Sequence, residues 1–119
     1  MSEFSYRQRF MRGEGGQSAA SINSVAREVL AELADPGSAA SSAAAGAGLE
    51  RTRVLDARAE ITEGEHGLEP VATTILVGIA VSAGSKVAET LWTKVLWPRI
   101  SRRLGVDALG EPVGETARN

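Results

Sequence analysis

The chain has 119 residues, only two Trp, two Phe and one Tyr, no cysteine, and a formal net charge of -2. That length allows one small domain with a modest core. Without cysteine there are no disulfides, thiol catalysis or cysteine metal sites, and the slight acidity gives no global attraction to nucleic acid or anionic lipid.

In chain order, residues 1–17 read as disordered or as a weak strand, because Phe4 and Tyr6 alternate with polar neighbours. No apolar run follows the charges of MSEFSYRQRFMRGEGG, so the expected location is the cytoplasm or the cytoplasmic membrane, without secretion. GEGG at 13–16 lacks a following Lys-Ser/Thr and is no phosphate loop. Residues 18–35 form an amphipathic helix. Ile22, Val25, Ala26, Val29, Leu30 and Leu33 share one face, Ser18 or Ser21 caps the start, and Asp35-Pro36-Gly37 ends the run. Residues 36–48, PGSAASSAAAGAG, are small and low in complexity, which predicts a flexible linker.

Residues 49–105 read as a strand, a turn and a long helix. Leu55, Ala57, Ala59 and Ile61 alternate with polar side chains, the period of a half-buried strand. Its candidate mates are the Phe4 to Phe10 segment, a second copy of the chain, or a sheet edge on another protein. EGEHG at 63–67 is a turn, and its His66 with Glu63 and Glu65 makes too loose a set for a metal site. Residues 106–119, with Gly110, Pro112 and Gly114, read as a disordered tail.

Pro70 to Leu104 holds most of the large apolar residues and reads as a single helix opened by Pro70 and kinked at Pro98. Val71 to Ser85 is uncharged and has no polar face, which predicts burial on all sides or lipid around it. At about 1.5 Å per residue it falls short of the roughly 30 Å hydrocarbon core unless extended to Trp92, past Lys86 and Glu89. Gly78 with Ser82 and Ala80 with Gly84 have the spacing that lets two helices approach closely. Beyond Lys86, Val87, Leu91, Trp92, Val95 and Leu96 form a stripe suited to a partner. Trp92 and Trp97 beside Arg99, Arg102 and Arg103 suit a membrane interface or a protein hot spot.

The segment from Leu68 to about Leu104, LEPVATTILVGIAVSAGSKVAETLWTKVLWPRI, resembles the helical half of small proteins, typical of high-GC actinobacteria, that accompany effector genes in biological-conflict loci. The resemblance implies an accessory, non-enzymatic component that recruits or is recruited by a partner near a membrane.

The expected fold class is therefore mainly α with at most one or two short strands. A short amphipathic helix and one long helix kinked at Pro98 account for it, with a disordered linker and disordered tails. The expected function is a non-enzymatic interaction or adaptor protein that self-associates or binds a protein partner through the long helix. The alternative is a single-span membrane protein anchored by residues 71 to about 92. No cofactor, metal or catalytic residue is expected, and nucleic acid is not an expected partner.

Overall fold

A computed structural model describes residues 4–12, 16–64 and 74–118 of the chain. It corrects the expected fold class. Strands β1 (Tyr6–Met11), β2 (Arg58–Gly64), β3 (Thr74–Ala80) and β4 (Glu111–Arg118) form one antiparallel sheet in the order β2-β3-β1-β4. Helices α1 (Ala19–Glu32), α2 (Ala39–Gly46) and α3 (Arg51–Val54) lie between β1 and β2. Between β3 and β4 runs a second helical stretch made of α4 (Ser85–Thr90), a π-helical segment (Leu91–Leu96) and α5 (Trp97–Leu104). Each helical connection joins two strands that point the same way with one antiparallel strand between them. This is the split β-α-β plan of the ferredoxin-like fold.

The largest correction lies in the stretch read as one helix. Its uncharged half is the strand β3, with six of its seven residues buried. A strand covered on both faces has no polar alternation to display, so its apolar run looks like a buried helix. Thr74, Ile75, Val77 and Ile79 supply the β-branched side chains that favour the pleated backbone. The helix begins only after Gly84, whose φ of 120° turns the chain out of the sheet. Pro98 does not end it. Lacking an N–H, Pro98 cannot bond the Lys94 carbonyl in α register. The turn before it is wide, with the Trp97 N–H donating to the Trp92 carbonyl five residues back.

The other departures have local causes. In the expected linker, the Ser38 Oγ accepts from the Ser41 N–H at 3.1 Å and starts α2, whose alanines are the best helix formers. Ala40, Ser41 and Ala44 are buried, because small side chains let α2 lie close to α1 and the π segment. The expected tail supplies β4, where Pro112 and Gly114 are tolerated at a sheet edge. The alternating stretch is a strand only from Arg58, and its mate is β3. Of the helix expected over 18–35, α1 takes Ala19–Glu32, with Ser18 as cap accepting from the Ser21 N–H at 3.1 Å.

The core lies between one face of the sheet and the helices. Ile75, Val77 and Ile79 from β3 meet Ile22, Val29 and Leu33 near α1 and Leu91, Val95, Leu96 and Ile100 from the second helical stretch. Each is at most 1% exposed. Two edges remain. At β2 the Ile61 N–H donates to Asn23 Oδ1 of α1 at 3.1 Å, so a helix side chain takes the place of a neighbouring strand. At β4 the ladder is irregular: between Arg7–Ala117 and Arg9–Val113 only Gln8 faces residues 114–116. Gln8 Nε2 reaches into this bulge, donating to the Arg9 carbonyl at 3.1 Å and the Val113 carbonyl at 3.4 Å.

Candidate functional site

The sheet's pleat sends alternate residues to opposite faces, and the two faces differ in chemistry. Tyr6, Gln8 and Phe10 of β1 point toward the helices. Here α5 and the π segment leave Pro112 at the start of β4 exposed. A half-open cleft of about 360 Å³ results, lined by Tyr6, Phe10, Trp92, Trp97, Leu109 and Pro112 among others. Four of the five aromatic residues of the chain therefore converge on it. The Trp92 and Trp97 rings stack with centroids 6.1 Å apart, and Phe10 lies tilted 6.4 Å from Trp92. Such pairs are worth about 0.5–1.5 kcal/mol beyond their area, which holds the cleft wall in place. Val106, at the mouth, is 76% exposed.

The residues expected to bind a partner are placed differently. Leu91, Trp92, Val95 and Leu96 are buried in this chain's own core, and Val87 is half-buried against it. The stripe is real, but its partner is the sheet. Gly78 and Ala80 sit on β3, Ser82 in the following turn, and Gly84 before α4, so none of them packs helix on helix. The Ser82 N–H donates to Asp56 Oδ2 at 3.2 Å. Of the expected membrane-interface residues, Trp92 is buried and Trp97 half-buried in the cleft wall. Arg99 and Arg103 pair with Glu32 at 3.6 Å and Glu28 at 3.0 Å, and Arg102 is exposed. These pairs join α5 to α1. No helix among the described residues is long and apolar enough to cross a membrane, and the expected span over 71–92 contains a strand and a turn.

Among the described residues, no helix lies on the other face of the sheet. Arg7, Arg9 and Met11 of β1, Arg58, Glu60 and Thr62 of β2, and Glu111 of β4 point outward there, and all are exposed. Phe4 folds back over this face and is only 6% exposed. Its ring rests in the space left by Gly78, with the Arg7 guanidinium 5.4 Å and the Arg58 guanidinium 5.9 Å from its centroid. Each such contact is worth about 0.5–1 kcal/mol at an exposed site.

No family model, curated protein or solved structure matches the chain. His66, Glu65 and most of the GEGG stretch lie outside the described residues. Among the described residues, no group of three potential ligands is placed to hold a metal ion. The sequence reading missed the convergence of Tyr6 and Phe10 with the tryptophans. The signal was present in the alternation of Tyr6, Gln8 and Phe10, a strand pattern that continues through β1.

Proposed function

We propose that the protein is a non-enzymatic interaction module that self-associates through the aromatic cleft. The observation that carries this reading is the exposed Val106 beside the half-open cleft walled by Trp97 and Phe10. A knob next to a hole makes a self-complementary patch, and a twofold axis seats each copy's Val106 in the other's cleft. The same rotation brings Asp107, next to Val106, toward Lys94, next to the cleft residue Thr93, and both are exposed. Opposite charges thus meet across the axis.

Magnitudes set the strength of such a pair. Burying a valine contributes about 1.5–3 kcal/mol, doubled by symmetry, and an exposed ion pair at most about 1 kcal/mol. Association costs roughly 4–15 kcal/mol in lost freedom, so the dimer is weak and concentration-dependent. Sedimentation equilibrium over a rising concentration series tests this. A monomer–dimer equilibrium is expected for the wild type, with Val106→Glu and Trp97→Ala shifted to monomer and folded by circular dichroism. A wild type that stays monomeric at every concentration, or a dimer that neither substitution disturbs, overturns the reading.

A further inference from the structure

On the open face of the sheet the central strand β1 carries positive charge alone, on a chain whose net charge is -2. Arg7 and Arg9 lie on the same side of β1, and Arg58 is held near Arg7 by the shared Phe4 ring. Among the described residues, three other arginines make ion pairs: Arg12 with Glu63, Arg99 with Glu32 and Arg103 with Glu28. Among the side chains described, no carboxylate lies within 4.0 Å of Arg7, Arg9 or Arg58. The acids of the same face, Glu60 and Glu111, stand on the outer strands β2 and β4, flanking the central arginines of β1. At the β2 edge, where α1 meets the sheet, a recess of about 350 Å³ is lined by Phe4, Arg27, Leu30, Arg58 and Glu60 among others.

We infer that this face is a docking surface for an acidic, extended protein segment, with carboxylates on alternate residues, laid along β1. Two side chains on one side of a strand are about 7 Å apart, so alternate carboxylates of an extended segment match Arg7 and Arg9 in step. Phe4 prepares the surface by fixing the Arg7 and Arg58 guanidiniums before the partner arrives, which lowers the ordering cost of binding. Guanidiniums rather than ammonium groups suit two-point contact with carboxylates. A single-stranded nucleic acid fits less well. It requires exposed aromatic platforms for its bases, and among the described residues the one aromatic side chain on this face is buried beneath the arginines. The surface lies on the opposite side of the sheet from the aromatic cleft and acts independently of self-association, so a module with both is an adaptor.

The test is fluorescence anisotropy with a labelled peptide of alternating Glu and Ser, its Gln-Ser counterpart, and an oligouridylate of similar length. The full chain carrying Val106→Glu is titrated beside the wild type, so that peptide binding is read whether or not the chain dimerises. Binding of the Glu-Ser peptide that falls with salt is expected, with none by the Gln-Ser peptide. Arg9→Glu, which leaves the Phe4 stack untouched, is expected to weaken binding about tenfold. Lys94→Glu on the helical side leaves it unchanged. Three results each overturn the inference: no binding of the Glu-Ser peptide at low salt, equal binding of the Gln-Ser peptide, or tighter binding of the oligouridylate.

Discussion

Phe4 occupies the space that Gly78 leaves on the open face of the sheet. A methyl group at position 78 would stand 3.2 Å from the Phe4 Cγ and Cδ1 and 3.4 Å from the Glu60 carbonyl oxygen. The glycine is there for close approach, in a strand where glycine otherwise weakens packing. Gly78→Val is therefore expected to lift the ring and destabilise the fold by about 1–3 kcal/mol, read as a lower urea midpoint. In a Phe4→Ala background the penalty shrinks, because the obstacle is gone. A neutral Gly78→Val, or a penalty unchanged by Phe4→Ala, would show that the contact does not govern the position.

Asn23 closes the β2 edge from above. Its Oδ1 takes the Ile61 N–H, and α1 packs along β2, so that donor is not offered to another strand. Asn23→Ala removes the acceptor and is expected to cost about 1 kcal/mol, since the amide is only partly buried and water replaces some of the loss. Amide exchange at Ile61 should accelerate along with that loss. Asn23→Asp keeps an oxygen at the same place and should preserve the protection. Equal exchange in all three proteins would mean that the side chain does not hold the edge.

What the sequence revealed follows the physics of each segment. The helix at 19–32 was legible because one of its faces is wet, and a wet face creates period. β3 lacked that contrast: it is buried on both sides, so Thr74 to Ala80 looked like the first half of a helix that starts only at Ser85. Misreading β3 also removed the mate of β1 and β2, leaving their alternation without a partner. β4 was hidden for the opposite reason. An edge strand of Glu, Pro, Gly and Thr lacks the composition of a strand and owes its extended form to pairing with β1. The stripe from Val87 to Leu96 was legible, but a sequence cannot say whether such a stripe meets its own sheet or another molecule. Neither could it bring Val106, nine residues beyond Trp97, back to the mouth of the same cleft; the turn through Gly105 does that.

Two glycines with open space around them separate backbone strain from packing. Nothing lies within 4 Å of a methyl group placed at Gly84 or at Gly46, so sterics with neighbours cannot distinguish them. Gly84 has a φ of 120°, between β3 and α4, a conformation that side chains of L-residues rarely adopt. Gly46 ends α2 without a positive φ, where alanine suits the helix better and also restricts the unfolded chain. Gly84→Ala is expected to lower stability by more than about 1 kcal/mol, and Gly46→Ala to raise it by about 0.4–1 kcal/mol. Thermal denaturation of the two single variants reads both signs in one experiment. If Gly84→Ala is as stable as the wild type, the chain leaves the sheet by a different backbone path. If Gly46→Ala is destabilising, the backbone at the end of α2 is not helical in solution.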